Sequence, residues 1–190
     1  NRLGGNGVAN STVYGGIAGD EMAAQASSQN SWVDPDTSLI DAAIEQTMTP
    51  FQQAVGDINS IRDRLLDVMW DGVGVLRDAK GIQQAQTELA TLKTDLLATG
   101  LSDDNRVFNL SWHDWLNLQS LIEVSEVIAA AALSRENSRG AHYREDYPEA
   151  GGLDESYFTI ARVDREALQV ERQPVDFSIV KPGESLLEND

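Results

Sequence analysis

Three features of the 190-residue sequence predict a mainly α fold: an up-and-down bundle of three to four long helices, followed by a small C-terminal β appendage. Apolar residues recur three and four apart from Leu39 to Ala132, the period of a helix with one buried face. Pro50, Asp78 and Gly100 punctuate that run as a breaker, an N-cap and a stop. After Gly140 the pattern changes to short alternating stretches, the period of strands.

The first seven residues, Asn1 to Gly7, form a glycine-rich loop, and Ala9 to Ser28 is predicted to be helical. That helix carries Gly15, Gly16, Ala18, Gly19, Ala23 and Ala24. Each glycine costs about 1 kcal/mol relative to alanine, so the helix needs tertiary contacts, and its small residues predict close packing on another backbone. A polar stretch with a turn at Asp34-Pro35 follows. From Ser38, residues Leu39, Ile40, Ala43, Ile44 and Met48 share a face until Pro50 ends the helix. A further helix is marked by Ile58, Ile61, Leu65, Val68, Met69, Gly72, Val73 and Leu76. Asp78 caps the next, built on Ile82, Ala85, Leu89, Leu92 and Leu96 and stopped at Gly100. The last long helix is predicted from Ser111 to Asn137. Its apolar residues, among them Trp115, Leu118, Leu121, Ile122, Ile128 and Ala132, cover more than one face, as expected of a central helix. Residues 157–163 and 168–172 read as two strands joined by a turn at Asp164-Arg165-Glu166, with an extended edge from Pro174 to Val180 and a loose tail beyond Pro182-Gly183.

Composition narrows the function. Fourteen basic against 31 acidic residues give a net charge of −17, which repels nucleic acid and anionic lipid surfaces. The absence of cysteine excludes disulfides and Cys-ligated metal sites within the chain. The most apolar run, Val127 to Leu133, falls short of the ~20 residues of a membrane span, so no direct membrane insertion is expected. The opening Asn-Arg-Leu-Gly-Gly-Asn-Gly reads as the middle of a loop, which suggests a piece of a larger protein.

Two segments carry more than bundle packing requires. Asn1 to Val8 is a glycine-rich loop entering a helix, where backbone N–H groups and the helix dipole favour an anion. Arg2 adds a planar fork suited to a carboxylate or phosphate. The second segment, Ser138-Arg139-Gly140-Ala141-His142-Tyr143-Arg144-Glu145-Asp146-Tyr147-Pro148, gathers cations and carboxylates at a helix end. Gly140 is expected there as a left-handed stop. The segment reads either as a capped helix with local ion pairs or as a polar junction held against another domain or a cofactor. His113 is expected to be exposed at a helix start, and the four tryptophans to serve the core or an interface.

The order of these motifs resembles the flavoprotein subunits of succinate dehydrogenase and fumarate reductase, relatives of L-aspartate oxidase. It runs from N-R-L-G-G-N through V-x-G-G-x-A-G to S-R-G-A-H-x-R-x-D-Y-P. Gly72-Val73-Gly74-Val75-Leu76-Arg77 and Val107-Phe108-Asn109 match further family segments. Ala141 leans toward the succinate/fumarate type. The resemblance implies that residues 1–28 end the FAD-binding region, 29–140 form the helical bundle, and 141–190 form the hairpin and tail.

The resemblance also implies the site residues. Arg2 would bind a carboxylate of a dicarboxylate substrate, with Gly4 and Gly5 keeping the loop close. Asn6, Gly7 and Val8 would contact FAD, Gly7-Val8 standing where many members have Ser-Leu. Arg139, His142 and Arg144 would give interdomain support. No catalytic acid or base is assigned, because the family's proton-transfer arginine and nucleotide-binding motif lie upstream of such a segment. The implied partners are the upstream FAD-binding domain of the same protein and an iron–sulfur subunit. The implied location is the cytoplasm, peripheral to the inner face of a membrane through a partner. An alternative is a non-catalytic helical module that docks the iron–sulfur partner.

Overall fold

The computed structural model describes residues 6–29, 34–164 and 167–184. Five helices are followed by a two-stranded antiparallel sheet: α1 (Asn6–Ser28), α2 (Thr37–Met48), α3 (Ile58–Val73), α4 (Ala79–Leu97), α5 (Leu110–Ser134), β1 (Tyr157–Asp164) and β2 (Ala167–Pro174). This is the expected fold class. The chain forms two compact units that divide between Thr47 and Met48.

The first unit holds α1 and α2. The helix α1 begins at Asn6, three residues before the expected start. A Cβ added at Gly15, Gly16 or Gly19 would meet nothing within 4 Å, so the predicted close packing at these glycines is not made among the described residues. Asp36 starts α2, its Oδ1 accepting from the Ser38 backbone N–H at 2.9 Å and the Ser38 hydroxyl at 2.6 Å. Leu39, Ile40 and Ile44 on α2 are all exposed.

In the second unit, α3, α4 and α5 form the bundle. Pro50 stops α2 by entering a 3-10 turn, Thr49–Phe51. Asp57 caps α3 by accepting from the N–H groups of Asn59 and Ser60. The helix α3 ends at Val73, which leaves Leu76 exposed and outside it, contrary to the sequence pattern. The chain leaves the helix at its C-cap, Gly74, whose backbone is not helical. At Gly72 a Cβ would lie 2.8 Å from the Gly81 carbonyl oxygen and 2.9 Å from the Ala85 Cβ, so α3 and α4 approach closely there. Beyond Gly74, Arg77 turns back and its Nε donates to the carbonyls of Val73 (3.0 Å) and Gly74 (2.7 Å). As predicted, Asp78 caps α4, accepting from Gly81 N–H at 2.6 Å.

The core is one cluster: Ile61, Leu65 and Val73 from α3; Ile82, Ala85, Leu89, Leu92 and Leu96 from α4; Trp115, Leu118, Ile122, Ala129 and Ala132 from α5. Trp115 is fully buried, and its Nε1 donates to the carbonyls of Leu96 and Thr99 at 3.2 and 3.0 Å. It thereby satisfies orphan groups at the end of α4. Gly100 does not act as the expected stop, since α4 ends with Ala98 as its C-cap. Gly100 instead lies against the Gln53 backbone, where a Cβ would clash, and its N–H donates to Ala54 O at 2.7 Å.

Asn109 caps α5, and His113 is exposed in its first turn, as expected. The helix ends at Ser134, three residues before the predicted Asn137. By length and composition α5 could cross a membrane, which corrects the sequence expectation that no stretch would suffice. Its face through Trp115, Leu118, Ile122, Ala129 and Ala132 is packed in the bundle. The strands pair in register from Tyr157↔Pro174 to Asp164↔Ala167. The expected turn residues Arg165 and Glu166 lie outside the described residues. The extended edge predicted over Pro174 to Val180 is not a strand, because β2 ends at Pro174 and only Val175 N–H continues the pairing, to Ser156 O at 2.9 Å.

Candidate functional site

Where α5 ends, its last carbonyls have no partners within the helix. Arg144, 1% exposed, supplies them: its Nη1 donates to the carbonyls of Ala132, Leu133 and Arg135 at 3.0, 3.1 and 3.1 Å. Its Nε and Nη2 grip Asp146 Oδ1 and Oδ2, each at 2.7 Å. Asp146 Oδ2 in turn accepts from Ala79 N–H at 3.0 Å, at the first residue of α4. One ion pair therefore sets a cation at the C-terminus of α5 and an anion at the N-terminus of α4, both favoured by the helix dipoles. The guanidinium, through its hydrogen bonds and its charge, holds the Asp146 carboxyl down to about 2.

Gly140 has φ 60°, but it does not end α5. It lies in a tight turn between Arg139 and His142, whose backbones exchange hydrogen bonds of 2.9 and 3.1 Å. The actual C-cap, Arg135, has extended backbone, because the Arg144 guanidinium does the capping. The turn sends His142 back toward Arg77, whose Nη1 donates to His142 Nδ1 at 2.8 Å. That contact assigns the neutral tautomer with the proton on Nε2, facing Arg135 O at 3.5 Å. Burial lowers the His142 pKa, and Arg77, Arg135 and Arg144 lower it further, outweighing the Arg135 carbonyl.

Arg139 points the other way and ties down the following loop. Its Nε, Nη1 and Nη2 donate to Ala150 O (2.6 Å), Ser156 Oγ (2.8 Å) and Gly152 O (2.6 Å). The hairpin is clamped to α5 beside it. Arg135 and Arg172 each stand 4.8 Å from the Tyr157 ring centre, and Arg172 Nη2 donates to Ser134 O at 2.7 Å. The structure thus brings Arg139, His142 and Arg144 together as a polar junction that joins the ends of α3, α4 and α5 to the hairpin. Arg77, which links His142 to the end of α3, was visible in the sequence only through its motif.

The other expected site residues lie at the start of α1. Arg2, Gly4 and Gly5 fall outside the described residues. Asn6 opens α1, Gly7 is half-buried in its first turn, and Val8 is exposed. The carbonyls of Gly7 and Val8 accept from the Ser11 and Thr12 hydroxyls, each at 2.9 Å.

The family model described as "Fumarate reductase flavoprotein C-term" matches residues 62–186, which span α3 to the end of the hairpin and beyond. The chain belongs to the fumarate reductase/succinate dehydrogenase flavoprotein family. The fumarate reductase flavoprotein subunit of Haemophilus influenzae is 32% identical over 188 residues, covering 96% of this chain and 31% of that protein. A quinol-fumarate reductase with menaquinol molecules superposes with a TM-score of 0.84 at 27% identity, over 96% of this chain and 32% of that one. The Mycobacterium smegmatis Sdh1 complex gives a TM-score of 0.81 at 27% identity, over 94% and 31%. The chain thus spans about a third of the length of these flavoproteins and corresponds to their C-terminal, mainly helical part.

Proposed function

We propose that this chain is the C-terminal part of an FAD-dependent oxidoreductase acting on a dicarboxylate of the succinate/fumarate type, and that it is inactive alone. The observation that carries this reading is the match of nearly the whole chain to a fumarate reductase flavoprotein subunit. The first turn of α1 suits a flavin. Gly7 has no side chain to shield the backbone N–H groups of that turn, and a helix N-terminus favours the negative charge that a reduced flavin carries. Asn6, Gly7 and Val8 contact the cofactor through their backbone. FAD supplies the chemistry when bound, a hydride passing between it and a substrate carbon. Arg2 binds and orients a substrate carboxylate through its two-pronged donor set, with Gly4 and Gly5 allowing close approach. Arg139, His142 and Arg144 hold the junction in the shape that supports the upstream FAD-binding domain. The full-length protein docks an iron–sulfur subunit and reaches the membrane only through partners, on the cytoplasmic side.

The test is a visible spectrum of the full-length protein. It should retain a yellow chromophore that succinate bleaches or fumarate reoxidises. Arg2→Gln should keep the chromophore and lose the response through a raised KM. Failure to hold flavin even with excess FAD overturns the assignment, and an unchanged KM in Arg2→Gln overturns the role of Arg2. Co-elution of a subunit with Cys-ligated clusters checks the partner.

A further inference from the structure

Arg77 and His142 stand 65 residues apart in the chain, and their contact is compatible with one charge state of the imidazole. Arg77 Nη1 donates to His142 Nδ1 at 2.8 Å, so that nitrogen carries a lone pair and no proton. A proton added there would set one donor against another and place a second positive charge beside the guanidinium. Arg77 keeps its own charge throughout, so the contact has to break.

Of the two side chains, Arg77 is the one free to leave. The His142 backbone is held in its turn by Arg139, through hydrogen bonds of 2.9 and 3.1 Å. Its Nε2–H faces Arg135 O at the C-terminal end of α5, where the helix dipole favours a cation. Apart from His142, the Arg77 guanidinium binds the carbonyls of Val73 and Gly74, which belong to its own side of the junction. One backbone bond also crosses, from Glu145 N–H to Arg77 O at 2.7 Å. Two residues further on, Asp146 anchors Ala79 at the start of α4.

The charges that act on His142 are Arg77 from the α3–α4 connection, Arg135 from the end of α5 and Arg144 from its own segment, all cations. The carboxylates of the neighbouring elements are engaged elsewhere. Asp146 is gripped by Arg144, Asp78 accepts from Gly81 N–H in the cap of α4, and Glu136 pairs with Arg172 of the hairpin at 3.7 Å. Glu145 is exposed. An imidazolium at this position would therefore face three arginines.

We propose that His142 and Arg77 form a proton-released latch: a proton taken up at His142 Nδ1 detaches the Arg77 guanidinium from the junction and frees residues 74–77, between the end of α3 and the anchored start of α4. The latch is closed while the imidazole is neutral. Burial and the three arginines hold the imidazole pKa below 6.5, so opening falls on the acid side of that value. The latch stands apart from the flavin reading, because all its groups lie within residues 73–146 of this chain.

The experiment is hydrogen exchange of the full-length protein, read by mass spectrometry between neutral pH and about pH 5. Slow exchange of the imidazole Cε1–H gives the His142 midpoint. The Glu145 amide, which bonds across the latch to Arg77 O, reports the connection. Each amide rate is divided by its intrinsic rate at that pH, and Glu145 is compared with Leu89 in the core of α4. Glu145 should lose protection relative to Leu89 as pH falls through the His142 midpoint. In His142→Gln, whose side-chain carbonyl accepts from Arg77 but does not titrate, the ratio should stay level. Equal losses at both amides would mean that acid loosens the whole bundle, and they overturn the latch. A relative loss that persists in His142→Gln does the same. The second arm stands whether or not that variant folds. Arg77→Met removes the charge and the donors but keeps an unbranched stem, and it should move the His142 midpoint up toward 6.5. An unchanged midpoint shows that the two residues are not coupled and overturns the proposal.

Discussion

Arg144 donates to three helix carbonyls and both oxygens of Asp146 while 1% exposed. Asp146 is partly exposed, so removing Arg144 mainly strips the last carbonyls of α5 of their donor, at a cost of about 1–3 kcal/mol. Arg144→Ala should therefore lower unfolding stability by about that amount in urea denaturation. Arg144→Lys should lose most of the same stability, because an ammonium cannot fork onto both carboxylate oxygens and reach three carbonyls. A loss no larger than that of an exposed surface substitution would show that the junction does not hold the helix ends. His142 gives a pH signature. Its folded pKa lies below the ordinary 6.5 because of burial and neighbouring arginines. As pH falls below about 6.5, the unfolded chain takes up a proton that the folded chain refuses, so stability declines there and is full above it. Urea midpoints should drop between neutral and mildly acidic pH, and His142→Gln should flatten that drop. Asp146 acts at lower pH: held at about 2 against an ordinary 3.8, it adds stability that is present above 3.8 and lost as pH falls through about 2.

Among the elements, the α3–α4 crossing depends on a glycine. A Cβ at Gly72 would meet the Gly81 carbonyl oxygen at 2.8 Å, and that backbone cannot swing aside as a flexible side chain could. Gly72→Ala should cost about 1–3 kcal/mol, the usual range for overpacking, and lower the thermal transition. An unchanged transition would show that the helices separate freely at this point. The helix pattern was legible because buried positions repeat at the helical period, and Asp78 was legible as a cap because its side chain accepts from a local N–H group; the caps Asp57 and Asn109 were not read from the sequence. The ends were less legible. The sequence extended α3 through Leu76 and α5 to Asn137, because apolar spacing does not record a terminus capped by a distant arginine. Arg77 turns back onto α3 from beyond its end, and Arg144 returns to α5 from 12 residues past Ala132. Gly140 was rightly read as left-handed, but the turn it makes is a hairpin turn; a glycine's tolerance of positive φ does not specify the motif that uses it.

Across the molecule, a net charge of −17 places like charges near one another on a small surface. Salt screens that repulsion over a Debye length of about 8 Å at physiological ionic strength. Thermal stability of the chain should therefore rise with added sodium chloride at neutral pH, and a fall would mean that attractive surface pairs such as Arg64–Asp95 and Lys93–Glu126 outweigh the net repulsion. The sequence alone determined the fold class, the family and the candidate residues Arg2 and Gly7, because apolar period and motif order are properties of chain order. Tertiary structure alone decided that Arg144 and Asp146 join α5 to α4 and that Arg77 meets His142 across 65 residues. Those outcomes depend on which groups the packed helices bring within hydrogen-bond distance, and a linear pattern does not contain that distance.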